Sequence, residues 1–124
     1  AWAAVAAAAG VAVLAASVII AKGRCYGGRF VVARAARLDE PSLHVVLFAG
    51  KGRWNVVHYA AGMVFGYLHR MSDVQVIKVT AGAIAGPAGE PVQADGDLVM
   101  NTPVKFGIAR EKLTLLMPAA APAP

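Results

Sequence analysis

Short apolar runs, broken every few positions by glycine, proline or charge, fill most of this chain, and one stretch alone follows the three-and-four spacing of a helix. Val18-Ile19-Ile20 is β-branched and continuous, which predicts a buried strand over Ser17–Lys22. Gly23 and Gly27-Gly28 punctuate the next stretch, and Phe30-Val31-Val32 predicts a second strand over Arg29–Ala33. Arg37–Ser42 is a polar turn containing Pro41, Leu43–Phe48 a third strand, and Gly50-Lys51-Gly52 another turn. The helix is expected over Arg53–Arg70, where Trp54, Val57, Ala61, Val64, Phe65 and Leu68 recur on one face. His69 and Arg70 would sit in its last turn, where cations suit the dipole. Gly62 and Gly66 each weaken such a helix by about 1 kcal/mol relative to alanine, so close packing is their expected reason.

Beyond the helix, Val74–Val79 is expected as a strand and Ala81–Gly89 as a flexible Gly/Ala/Pro connection. Glu90–Asp95 and Leu98–Met100 read as a hairpin around Asp95-Gly96. Thr102–Ala109 alternates, with Val104, Phe106 and Ile108 facing one way and Lys105, Gly107 and Ala109 the other. Lys112–Met117 is expected as a last strand, and residues 118–124 as a disordered Pro/Ala tail. The fold class is therefore mainly β, an antiparallel β-sandwich-like domain over residues 1–117 with one helical excursion. Strands do not alternate strictly with helices, so a Rossmann-type sheet is not supported.

Composition narrows the class. The 124 residues suffice for one core, and 58% apolar against 15% charged is too apolar for disorder. It suits strands buried on both faces, or surface that awaits a partner. The net charge of +5 favours anionic partners, but the basic residues are scattered and form no run, which argues against nucleic acid. Cys25 is the single cysteine, so no disulfide forms within the chain and a reducing, cytoplasmic setting fits. It is read as a small packed residue on a strand. Residues 1–21 carry no charge and are long enough to span a bilayer, yet alanine dominates them and alanine drives insertion weakly. An opening of Ala-Trp without a positive n-region does not suit a signal peptide and is read as the start of a piece of a longer protein.

Candidate chemistry rests on seven acidic residues, with two clusters, Asp39-Glu40 and Asp95-Gly96-Asp97. Were strand geometry to persist through the second, Asp95 and Asp97 would lean to one face, one taking a proton and the other orienting a group or a cation. Asp-Gly is equally a common hairpin turn, which is the plainer reading. Asp39-Glu40-Pro41 is by default a loop of solvated carboxylates, though hard cations favour such loops. His58 and His69 would stand about 16 Å apart along a helix, too far to share a metal, and His44 lies in a strand. No Gly-x-Ser-x-Gly elbow, Walker phosphate loop or His-Glu-x-x-His is present.

Four segments in order resemble one family. Ser17–Gly28 (Ser-Val-Ile-Ile-Ala-Lys-Gly-Arg-Cys-Tyr-Gly-Gly) is similar to a strand-and-turn that often reads Val-Ala-Asn-Gly-x-x-Tyr-Gly-Gly-Gly. Ala36–Val46 resembles Ala-x-Leu-Asp-Asp-Gly-x-Leu-Asp-Val, Pro91–Asp97 resembles Val-x-Asp-Gly-Glu, and Leu113–Pro118 resembles a closing strand. These belong to the C-terminal domain of bacterial diacylglycerol/sphingosine kinase-like lipid kinases. The resemblance implies a lipid hydroxyl as acceptor, ATP as co-substrate and Mg2+. It implies Asp95 as general base with Asp97 beside it. It also implies a structural metal held by the Glu40 carboxylate with carbonyls of Arg37 and Ser42. Lys22 stands where the resembling segment usually carries asparagine, and Glu40 and Pro41 stand where it carries Asp and Gly.

The family's nucleotide motif, Gly-Gly-Asp-Gly-Thr, does not occur in this chain. The ATP site is therefore expected in an N-terminal nucleotide-binding domain outside it, and the chain alone is expected to be inactive. Expected partners are that domain, a lipid, the inner membrane surface from its cytoplasmic side, and a second copy in a homodimer. Two other readings stand beside this one: a non-catalytic, basic, membrane-peripheral module, and an integral protein anchored by residues 1–21.

Overall fold

The computed structural model describes residues 3–7, 10, 12–116 and 118. In chain order the strands open with β1 (Ala3–Ala7), β2 (Ala12–Ala15) and β3 (Ser17–Ala21). Next come β4 (Cys25–Tyr26), β5 (Phe30–Val31) and β6 (Leu43–Phe48). Helix α1 spans Arg53–Phe65 and is followed by a 3-10 turn at Leu68–Arg70. The chain then forms β7 (Val74–Val79), β8 (Ala81–Ala85), β9 (Pro91–Ala94), β10 (Asp97–Asn101) and β11 (Val104–Gly107). All pairings are antiparallel.

Two sheets carry the domain. One has the order β3-β6-β7 and the other β11-β8-β1-β2. β6 is central because its six residues Leu-His-Val-Val-Leu-Phe are almost continuously apolar, which suits a strand covered on both faces. Val45 and Leu47 face Ala15, Val79 and Ile84, with Val104 and Phe106 packed alongside, so this core lies between the two sheets. Val46 and Phe48 face the other way, onto Val32, Ala33, Ala36, Tyr59 and Leu68, a core closed by α1 and the segment before β6. Full burial of a valine or leucine stabilises by about 1.5–3 kcal/mol, so β6 anchors both cores at once.

The helix is shorter than its apolar periodicity suggests and turned the other way. Gly66 adopts a left-handed conformation (φ 75°) and caps α1 at Phe65. The expected apolar face is largely solvent-exposed, with Trp54 at 85% and Phe65 at 77%. The buried face instead carries Tyr59 and Gly62. A Cβ on Gly62 would come within 2.9 Å of the Met71 sulfur and 3.3 Å of the Leu68 backbone, so this glycine does serve close packing.

Other boundaries differ as well. Ala81–Ala85 is no flexible connection but β8, paired to β1 on one side and β11 on the other. Alanine and glycine hide such a strand from propensity. The expected second strand shrinks to Phe30–Val31, and Val32 and Ala33 turn inward as a loop. Residues 112–116 form no strand, and Leu113, Leu115 and Leu116 are exposed. Of the expected Pro/Ala tail, residues 119–124 lie outside the described residues. The uncharged N-terminal run contributes β1, β2 and β3, and no helix among the described residues is long and apolar enough to cross a membrane.

Candidate functional site

β9 and β10 form a two-stranded ribbon joined by Asp95-Gly96. Both turn residues have positive φ, 52° at Asp95 and 93° at Gly96, the geometry of the tight hairpin turn that Asp-Gly favours. Asp95 is thus lifted out of strand alternation, and the expectation that it shares a face with Asp97 by strand geometry does not carry over. Both residues are exposed, and neither side chain has a hydrogen bond or ion pair among the described residues. The ribbon itself is exposed along its length, with Leu98 65%, Val99 50% and Met100 49% accessible. A register shift between Leu98 and Met100 breaks its regular pairing.

The Asp39-Glu40 loop is arranged in the opposite manner. Arg37 donates to both Asp39 oxygens, at 3.0 and 2.8 Å. That fork holds the Asp39 carboxyl down at about 2. The Glu40 carboxylate lies 2.6 Å from the Lys78 ammonium and accepts from the Ser42 hydroxyl at 3.4 Å. The Lys78 contact is the main cause of its lowered pKa. The Lys22 ammonium donates to the backbone carbonyls of Arg37, at 3.1 Å, and of Glu40. The Glu40 carbonyl also accepts the Ser42 N–H at 2.8 Å, so both of its lone pairs are engaged.

These residues do not fit the structural metal that the resemblance implies. A magnesium ion needs six oxygens in near-octahedral array at about 2.0–2.1 Å. Here the Arg37 carbonyl is turned to an ammonium and the Glu40 carboxylate to another. Arg37 and Lys78 already pair with the two carboxylates, and Lys22 takes the carbonyls.

The loop lies beside His44, which is buried with Nδ1 unpartnered. Burial, and then Lys78, push its pKa below the ordinary value. His58 lies tilted beside Tyr67, at 6.4 Å between rings, and His69 contacts Arg34 at 3.1 Å, so the histidines do not converge. Cys25 is exposed, not packed, because β4 lies in a small outer hairpin with β5.

An open cleft of about 340 Å³ lies under the start of α1, lined by Ile19, Phe48, Gly50, Val56, Tyr59 and Met63 among others. At its edge the Tyr59 hydroxyl accepts the Gly50 N–H at 2.8 Å and donates to Asp73 at 2.5 Å. Burial and the Asp73 contact push the Tyr59 pKa up. Sequence reading passes over Tyr59 and Asp73, which are fourteen residues apart with no motif between them. It passes over Lys78 too, since nothing local links β7 to the loop. Lys22 is visible in the sequence as a departure from the resembling segment, and its partners are not.

A family model described as the YegS C-terminal NAD kinase beta sandwich-like domain matches residues 4–117. No curated protein matches the chain.

Proposed function

From a chain that belongs to the YegS C-terminal NAD kinase beta sandwich-like domain family, a C-terminal domain of lipid kinases, we propose the acceptor-side half of an ATP-dependent kinase that phosphorylates a lipid hydroxyl. The observation that carries this reading is Asp95: a carboxylate at the tip of an exposed ribbon, in left-handed backbone geometry, with no internal partner among the described residues. A group held out in this way is free to reach a reaction centre that another domain completes.

In the proposed reaction the acceptor hydroxyl oxygen forms a bond to the γ-phosphorus of ATP as the bond to ADP breaks. The hydroxyl proton passes to the Asp95 carboxylate, and Asp97, next but one along the ribbon, helps to orient the acceptor. ATP and its magnesium would be held by an N-terminal nucleotide-binding domain. The exposed Leu98, Val99 and Met100 offer that domain an apolar landing surface. A diacylglycerol-like or sphingoid-like chain would lie along the apolar cleft and the outward face of α1, where Trp54, Val57, Val64 and Phe65 are exposed. The same face, with Arg53 beside Trp54, suits the cytoplasmic surface of an anionic membrane.

The test is transfer of label from γ-labelled ATP to diacylglycerol and to a sphingoid base in mixed micelles, using the complete protein. Labelled phospholipid, formed about 10²–10⁴-fold more slowly with Asp95→Asn, is the expected result. Vesicle binding without transfer to any lipid would instead favour a non-catalytic, membrane-peripheral module.

A further inference from the structure

The geometry points to Lys22 as a built-in replacement for a divalent cation: its ammonium ties together the loop of residues 37–42 and makes that loop independent of metal. Lys22 begins the turn after β3, half-buried, and its Nζ reaches fifteen and eighteen residues along the chain to the carbonyls of Arg37 and Glu40. Two main-chain carbonyls of one turn converging on one cation is the service a bound metal performs in an oxygen-rich loop. An ammonium can perform it with three donors and a single charge.

Three further features agree. First, the side chains that could serve as anionic ligands are drawn away from Lys22. Glu40 pairs with Lys78 and Asp39 with Arg37, and each pair closes at 2.6–2.8 Å. Second, the loop is already rich in positive charge, so a divalent ion entering beside Lys22, Arg37 and Lys78 would meet repulsion at close range. Third, the loop sits on the core: Ala36 is 1% and Ser42 5% accessible, and the Ala36 N–H bonds to the Ala33 carbonyl at 3.0 Å. A cation tethered to the chain holds that buried approach to β6 without the entropy and concentration dependence of a free ion.

The inference rests on this hydrogen-bond geometry and stands apart from the proposed catalysis. Its test is amide hydrogen exchange of segment 36–42 in the complete protein, without nucleotide, in EDTA and again in millimolar magnesium. Exchange in the wild type is expected to be equal in the two buffers. In Lys22→Met it is expected to be about tenfold faster or more, the loss of hydrogen bonds to a charged donor. Slower wild-type exchange in magnesium than in EDTA overturns the inference, and so does wild-type protection in Lys22→Met. Should Lys22→Met not fold, the wild-type comparison of the two buffers still decides.

Discussion

Asp39 and Glu40 pair with two cationic side chains, Arg37 and Lys78, whereas Asp95 and Asp97 pair with none among the described residues. Both clusters consist of two acids within three residues, and in the sequence they look equally able to do chemistry. Their surroundings separate them. The first pair is fixed by Arg37 within the loop and by Lys78 of β7, so the Glu40 charge goes into joining segments distant in the chain. The second pair sits at the end of a ribbon whose β-strands contact chiefly each other. Carboxylates already satisfied inside a domain have little left to offer a substrate. Carboxylates held out from it retain their full capacity to accept a proton or a hydrogen bond.

The sharpest way to break this comparison is Asp95→Asn in the complete enzyme. Removing a general base costs about 10²–10⁴-fold in rate, so kcat for lipid phosphorylation should fall by that order. Stability should not move, because asparagine tolerates the left-handed φ of 52° and no internal contact is lost. Turnover near wild type, measured by label transfer, would remove Asp95 from the role of base.

A second substitution tests the structural side. Asp73, a third acid, is held by the Tyr59 hydroxyl, which also accepts the Gly50 N–H. Tyr59→Phe keeps the ring, which packs 4.8 Å from Phe48, but leaves both partners unsatisfied. A loss of about 1–3 kcal/mol in denaturant unfolding is expected. The tyrosine also sets a pH dependence. Its folded pKa is raised above the ordinary 10.0, by burial first and then by Asp73. The protonated form is therefore favoured by folding, and its contribution is fully present below pH 10 and lost as pH rises through the raised value. Wild type should lose stability on the alkaline side faster than Tyr59→Phe, and parallel curves in alkaline melts would contradict the burial of this hydroxyl.

The legible part of the fold is the part that periodicity controls. Leu43–Phe48 and Val74–Val79 have the same bounds in sequence and structure, and Asp95-Gly96 is the turn its residue types predict. What misleads is apolar surface that faces outward. Trp54, Val57, Val64 and Phe65 form a helical stripe, so periodicity assigns them to the core, yet the core takes Tyr59 and Gly62 from the same helix. Hydrophobic patterning reports that a face shuns water and does not report which neighbour covers it. β8 is hidden for the converse reason, since Ala-Gly-Ala-Ile-Ala has little strand propensity and owes its state to β1 and β11. At the site, Asp95 and the loop acids are visible as residues. Lys22, Lys78 and Asp73 act across 14 to 38 positions, and no local pattern carries such a distance.

The smallest effect is expected at the ion pair that ties the loop to β7, and it separates a solvent-accessible pair from a buried anchor. Glu40 and Lys78 approach to 2.6 Å, but their side chains are 35% and 58% accessible. Exposed pairs of this kind gain little, because water solvates both partners well when they are apart and salt screens them when together. Lys78→Met should lower the thermal midpoint by no more than a few degrees, and the difference from wild type should shrink as salt is raised. Tyr59→Phe, whose lost bonds are half-buried and do not join two opposite charges, should keep its deficit at high salt. Should the Lys78→Met deficit persist undiminished in high salt, the Glu40 carboxylate would have to count as part of the buried core, and the contrast between the loop's screened outer pairs and its inner Lys22 contact would collapse.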